Sequence, residues 1–150
     1  MFIIFSLLLS AFFSGMEIAY VSSNRLDLEI EKNKSGLIPK ILSIITQNPS
    51  RFIATMLIGN NFVLVIYGMF MGQFIMDNIP FVLLDSLNEF TLVLIQTLIS
   101  TFLILIAAEF IPKVLFQIYS NMSMKIFAIP AYFFYLLLYP CLLYTSPSPR

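Results

Sequence analysis

Three apolar runs, each about long enough to cross a bilayer, dominate this sequence. They cover residues 1–21, 52–76 and 91–108, and a helix needs about 20 residues to span the hydrocarbon core. Of the 150 residues, 59% are hydrophobic and 11% are charged, whereas a soluble domain typically carries about 25% charged residues. A chain of this size cannot bury so much apolar surface within itself. The sequence therefore predicts an all-α integral membrane protein with three transmembrane helices.

The distribution of charged residues predicts the topology. The first connection, residues 22–51, contains Arg25, Lys32, Lys34, Lys40 and Arg51, whereas the second, 77–90, contains only the acidic Asp77, Asp85 and Glu89. Basic residues stay on the cytoplasmic side, so we expect the N-terminus outside. Apolar residues recur at helical spacing within 22–51, which favours two short juxtamembrane helices at the cytoplasmic interface; a solvated loop is the alternative.

The two ends of the chain need separate interpretation. No basic residue precedes the first run, as a secretory signal would require, so we interpret that run as a retained helix. Residues 124–140 are apolar but contain Pro130, which fits a fourth span or, slightly better, an interfacial helix. The last ten residues, 141–150, match a translated sequencing-library adapter, and we predict a scar there rather than a Pro/Ser-rich disordered tail. On that prediction, residues 1–140 belong to an incomplete protein.

Composition also argues against several function classes. The formal net charge is zero, which predicts no nucleic-acid partner. There is no histidine, and the single cysteine, Cys141, falls in the predicted scar, so the sequence lacks the usual ligands of a soft transition metal. None of the common zinc-protease, serine-hydrolase or P-loop patterns occurs. We therefore predict that the chain is not an enzyme.

Each predicted span carries polar oxygen atoms beside a potential helix break. In the first, Glu17 continues a stripe of serines at four-residue steps: Ser6, Ser10 and Ser14. In the second, Asn60 and Asn61 follow Gly59, and in the third, Glu109 precedes Pro112. Carboxylate, hydroxyl, amide and carbonyl oxygens are the ligands of hard cations such as Mg²⁺ and Ca²⁺, and transporters often bind ions at interrupted helices. The pattern indicates a shared cation site.

Each of these residues also has a structural interpretation. Serines in membrane helices often bond back to the preceding turn or pack helices together. The two glutamates lie near span ends, where they could reach the interface or pair with Arg25 or Lys113. The asparagines could hold helices together through hydrogen bonds. The sequence leaves these alternatives open.

Three segments together resemble a known family. They are SAFFSGMEIAYVSSNRL (10–26), IATMLIGNNFV (53–63) and AAEFIPKVLF (107–116), and they are similar, in order and spacing, to the membrane domain of the CNNM/CorC magnesium transporters. The resemblance implies a homodimer in the bacterial cytoplasmic membrane, with three transmembrane helices per subunit. It also implies Na⁺-coupled Mg²⁺ export, followed in the chain by cytoplasmic CBS domains that bind adenine nucleotide.

The resemblance implies a set of metal ligands: Ser10, Ser14, Glu17, Asn60, Asn61, Glu109 and the carbonyl oxygen of Ala108. Two positions depart from the family's usual pattern. Leu64 stands where the family often has an asparagine, and Ala108 stands where it often has glycine. Some relatives are labelled haemolysins or gliding-motility proteins. The alternative function is therefore a non-transporting membrane anchor or sensor in a secretion or motility complex.

Overall fold

The structure, a computed structural model, describes residues 1–141 without the side chains of Phe81, Leu83 and Leu84. The regular elements in that part are all helical: α1 (Phe2–Ser22), α2 (Arg25–Lys32), α3 (Leu37–Ile45), α4 (Pro49–Asn78), α5 (Phe81–Ser86), α6 (Glu89–Ile104), a π-helical turn (Leu105–Phe110), α7 (Ile111–Ile118), α8 (Ser120–Ile126) and α9 (Ala128–Leu137). Apart from Cys141, the predicted scar 141–150 lies outside the described residues.

Three helices are long and apolar enough to cross a membrane, as the sequence predicts. They are α1, α4 and the continuous helix Glu89–Ile118, here called the third span, which comprises α6, the π turn and α7. Helix α1 runs antiparallel to α4, since the Phe2 ring stacks on Phe70 and the Tyr20 ring lies on Phe52, both at 5.0 Å between centroids. Helix α1 also packs against the π turn and α7. It is therefore the central helix of the bundle.

The glycines of the first two spans do not break their helices, contrary to the sequence expectation. Helix α1 continues through Ser14 and Gly15, and α4 continues through Gly59. Both glycines instead allow close packing: a Cβ on Gly15 would lie 2.5 Å from the Phe116 ring, and one on Gly59 would lie 2.7 Å from the Phe13 ring. A helix keeps its hydrogen bonds at such a position and loses only the side chain.

The third span does contain an irregularity, and Pro112 explains its position. A proline inside a helix has no N–H to donate and its ring clashes with the carbonyl four residues earlier, here that of Ala108. The chain accommodates the ring by widening into a π turn over Leu105–Phe110, where Ile111 donates its N–H to the Ile106 carbonyl. The helix then continues as α7 instead of ending.

Short helices gather around the end of the bundle that carries most of the basic residues, here called the basic end. The side chain of Asn24 caps α2 by accepting from the Leu26 N–H at 2.9 Å, a role asparagine fills well. Helices α8 and α9 return to this end, where Met124 and Ala128 join a core with Leu42 and Ile45. The two short helices predicted within residues 22–51 are present as α2 and α3, and their juxtamembrane position stays a prediction.

Helix α9 does not form a fourth span. It has 10 residues, which reach about 15 Å at 1.5 Å per residue, half of the hydrocarbon thickness. Helix α9 packs on α3 and α4, and its Ala131 and Tyr135 belong to the buried core. Helix α8 is joined to α2 by an ion pair between Lys125 and Glu31 at 3.4 Å. The returning segment is therefore part of the compact basic end.

Candidate functional site

The serine stripe of α1 lies inside the bundle. Ser6, Ser10 and Ser14 are 3%, 0% and 1% exposed, so α1 turns its polar face toward its neighbours and its apolar face outward. The Ser6 hydroxyl donates to the Phe2 carbonyl at 2.7 Å within the same helix. Ser6 thus has the local structural role that serines often have in membrane helices.

Ser10 makes a different bond, across to α4. Its hydroxyl donates to the Asn60 Oδ1 atom at 2.6 Å, and the bond is buried. Gly59, beside Asn60, permits this approach because the Phe13 ring occupies the space that a side chain would take. Two side-chain oxygens from different spans therefore meet in the interior. Asn61 is exposed, because a one-residue step turns the side chain by about 100°.

Ser14, one turn further along α1, has a buried hydroxyl without a hydrogen bond. It is the one fully buried side-chain polar atom in the described part of the chain that lacks a partner. Buried polar groups are nearly always paired, so an exception requires an explanation. The oxygen lies on the same face as Ser10 and is available to a ligand.

The π turn brings the third span into contact with α1 at Ala108, which is 0% exposed. In a regular helix the Ala108 carbonyl would accept from the N–H of residue 112, but Pro112 has none. The alternative π bond from residue 112 to Ala107 is missing for the same reason. Carbonyl oxygens that lack a helical partner are common ligands at broken membrane helices, and Pro112 removes the regular helical partner of the Ala108 carbonyl.

The two membrane carboxylates are not neutralised by basic side chains. Glu17 and Glu109 are partly buried, and no Lys or Arg lies within ion-pair distance of either among the described residues. Glu109 lines an open cavity of about 350 Å³ formed only by the third span, together with Lys113 and Gln117. No described contact joins Glu17 or Glu109 to the Ser10–Asn60 pair.

Within residues 1–141, no three acidic, cysteine or histidine side chains gather in a cluster that could hold a metal ion. An ion at the Ser10–Asn60 pair would therefore depend largely on neutral oxygens, with one or two carboxylates approaching from Glu17 and Glu109. This limits the charge that the protein can place around a divalent cation.

Comparison with known proteins now decides the family. The model of the family CNNM, described as the cyclin M transmembrane N-terminal domain, matches residues 1–147. The chain belongs to the CNNM family. A search of curated proteins finds no match. CNNM domains are membrane transport domains associated with divalent cations, Mg²⁺ among them, and are not an enzyme family. The resemblance drawn from the three sequence segments is confirmed.

This CNNM domain also has polar residues that the sequence interpretation passed over. They lie on one face of α6: Gln96, Thr97, Ser100 and Thr101. The Tyr67 hydroxyl of α4 donates to the Ser100 carbonyl at 3.1 Å. The signal in the sequence was their spacing of one, four and five residues, which places them side by side on a helix. Single hydroxyls are common in membrane helices, so no one of them stands out alone.

Proposed function

We propose that this domain carries a divalent cation, Mg²⁺ first among them, through the bundle at the Ser10–Asn60 pair. The ligands are the oxygens of Ser10, Ser14 and Asn60 with the Ala108 carbonyl, assisted by Glu17 and Glu109. One observation carries the proposal: a buried hydroxyl without a partner, on Ser14, lies one turn from a buried serine–asparagine pair within the apolar spans. Na⁺-coupled export in a bacterial cytoplasmic membrane is the mode that the family resemblance favours.

The spacing of the pair suits Mg²⁺. Magnesium takes oxygen ligands at 2.0–2.1 Å in near-octahedral geometry, which puts neighbouring ligands about 2.9 Å apart. The Ser10 and Asn60 oxygens are 2.6 Å apart, so a shift of about 0.3 Å would give that spacing. Magnesium usually keeps several waters, so two or three protein oxygens on one side of the ion are sufficient.

Binding at this pair requires one hydrogen bond to break. The Ser10 hydroxyl now donates its hydrogen to Asn60 Oδ1, and both oxygens can face a cation only if the hydroxyl rotates toward another acceptor. The charges of Glu17 and Glu109 favour the exchange, because each carboxylate is relieved of its own burial cost when a cation approaches. Net binding is then the ion's ligation energy minus the cost of this rearrangement.

Two further features of the assembly belong to this proposal. Only 6% of the most apolar part of the third span is buried, against 39% in each of the other spans. We assign the apolar part of this surface to lipid and to a second copy of the chain, in the homodimer that the resemblance implies. The basic end faces the cytoplasm by the positive-inside rule, which places the N-terminus outside and any CBS domains, with their adenine nucleotide, next to the basic end.

Two adjacent asparagines provide the test. Mg²⁺ efflux is measured in cells depleted of other Mg²⁺ transporters and expressing the wild-type chain, Asn60→Ala or Asn61→Ala at matched membrane levels. Asn60→Ala should abolish efflux, whereas Asn61→Ala should retain most of it because this side chain is exposed. Full efflux with Asn60→Ala would rule out the site. No efflux from the wild-type chain would favour the anchor or sensor alternative.

A further inference from the structure

A polar groove runs along the bundle between α4 and α6, away from the Ser10–Asn60 pair. It consists of two adjoining open depressions of about 530 and 310 Å³, and Gly68 and Gln96 line both. The larger depression extends to Asp77, near the end of α4, and the smaller one extends to Leu64. We call this feature the hairpin groove, because it opens at the end of the bundle where residues 77–90 connect two spans.

The hairpin groove is too polar for a surface that only contacts lipid. Its α6 wall presents Gln96, Thr97 and Ser100 within a 16-residue helix whose other residues are apolar except Glu89, Thr91 and Thr101. Polar side chains within a membrane usually face a protein interior or a water-filled cavity. The Tyr67–Ser100 bond uses only one phenol hydroxyl and one backbone oxygen, so helix association accounts for a small part of this polarity.

On the α4 side of the groove, two positions carry no side chain because they are glycines, Gly68 and Gly72. A Cβ built on Gly68 would have no atom within 4 Å, so the missing side chain is not required for packing and leaves open space in the groove. Gly72 differs, because Gln96 Nε2 lies 2.5 Å from the position of its Cβ. The long amide of α6 therefore reaches over α4 at Gly72, and the groove continues past it toward Leu64.

The groove extends along most of the membrane thickness toward the candidate site. Asp77 and Leu64 are separated along α4 by about 20 Å at 1.5 Å per residue, out of a hydrocarbon core of about 30 Å. Leu64 lies one helical turn beyond Asn60 on the same side of α4. Along α4, the apolar Leu64 therefore lies between Gly68 of the groove and Asn60 of the pair.

We propose that the hairpin groove is a water-filled route between the cation site and the end of the bundle formed by residues 77–90, with Leu64 as the barrier between the groove and the site. The occupant is a hydrated divalent cation, which keeps its water shell against the hydroxyls and amides and meets the Asp77 carboxylate at the mouth. The role in ion passage rests on the proposed function, whereas the hydration of the groove does not.

Hydration is tested by cysteine labelling in intact cells that express the full chain with Cys141→Ser. Thr97→Cys and Thr101→Cys place a thiol in the groove, and Leu98→Cys is the control, since Leu98 is 62% exposed on the opposite side of α6. A membrane-impermeant, positively charged methanethiosulfonate reacts with the thiolate, and an apolar environment suppresses the thiolate. The groove cysteines should react at least about tenfold faster, which corresponds to one unit of thiol pKa.

Equal labelling of Thr97→Cys, Thr101→Cys and the Leu98→Cys control would overturn the proposal, because the groove would then be closed to water. Ion passage is tested separately with Gly68→Trp, which adds a bulky ring at a position where a Cβ meets no atom, and with Val65→Trp as a control outside the groove. Gly68→Trp should reduce Mg²⁺ efflux at least fivefold while Val65→Trp leaves it unchanged. Unchanged efflux with Gly68→Trp would refute the route. Labelled groove cysteines in a wild-type chain without efflux would leave the groove hydrated and reject the proposed function alone.

Discussion

Replacing Ser14 by alanine should stabilise the protein in the absence of Mg²⁺ and reduce the stabilisation that Mg²⁺ provides. The side chain is 1% exposed and its hydroxyl has no partner. A buried unsatisfied polar group costs about 1–3 kcal/mol, and the lower value is appropriate because the unfolded chain in a membrane is also desolvated. About 1 kcal/mol corresponds to about 3 °C in Tm for a chain of this length.

The effect on ion binding has the opposite sign. At a Mg²⁺ concentration of 100 times Kd, binding stabilises a protein by about 2.7 kcal/mol. If the Ser14 oxygen contributes about 1.4 kcal/mol, its loss raises Kd tenfold and leaves about 1.4 kcal/mol of stabilisation at the same concentration. The increase in Tm on adding Mg²⁺ should therefore fall by about half.

The assay is thermal unfolding of the detergent-solubilised full chain without ions and with Mg²⁺, Na⁺ or Ca²⁺. Ser6→Ala is the matched control, because Ser6 belongs to the same buried stripe and its hydroxyl is satisfied within its own helix. Ser6→Ala should leave the Mg²⁺ response unchanged. If Ser14→Ala lowers Tm by the same amount with and without Mg²⁺, the hydroxyl is structural and the reasoning is wrong.

Three further predictions follow from packing, backbone and charge. Gly59→Ala places a methyl group against the Phe13 ring and should destabilise the protein by about 1–3 kcal/mol. Gly68→Ala adds a methyl group that contacts no other atom and should leave Tm within about 1 °C. Equal changes in Tm for the two variants would contradict the packing described for Gly59. Pro112→Ala restores a backbone N–H donor, so the stability should be unchanged or higher. Mg²⁺ affinity should fall about tenfold, the equivalent of one lost ligand. Unchanged Mg²⁺ affinity in the same thermal assay would exclude the backbone oxygens as ligands. The hydrogen bond from Lys34 is the main cause that lowers the pKa of Glu31. The contribution of the ionised Glu31 to stability is therefore complete above the unfolded pKa of about 4.3. It is lost as the pH falls through the lower folded pKa. Glu31→Gln should remove that part of the acid dependence in Tm scans from about pH 6 to 3, and an identical pH profile would show that the contact is negligible.

The spans and short helices could be predicted from the sequence because they depend on local patterns. Apolar length determines what can cross the membrane, and the apolar spacing of 22–51 indicated α2 and α3 without knowledge of their neighbours. Ser10 and Asn60 were also identified, since a polar side chain in a long apolar run is conspicuous by composition alone.

What could not be predicted depends on how the helices are turned toward one another. Asn60 and Asn61 are adjacent in sequence, but only the rotation of α4 determines that the first is buried and the second exposed. Gly59 was interpreted as a potential helix break, because the sequence does not show that an aromatic ring from α1 takes the place of its side chain. The Thr97 and Thr101 face of α6 gains its meaning only from Gly68 on the opposite helix.

The central position of α1 has a consequence for the synthesis of this protein. Ser10 and its partner Asn60 are 50 residues apart, so at about 5–20 residues per second the ribosome needs roughly 3–10 s to reach the second after the first. During that interval α1 must remain in the membrane while the Ser10 hydroxyl still lacks its α4 partner. Substitutions that add polarity to α1 should therefore reduce the amount of inserted protein before they alter the behaviour of molecules that complete assembly.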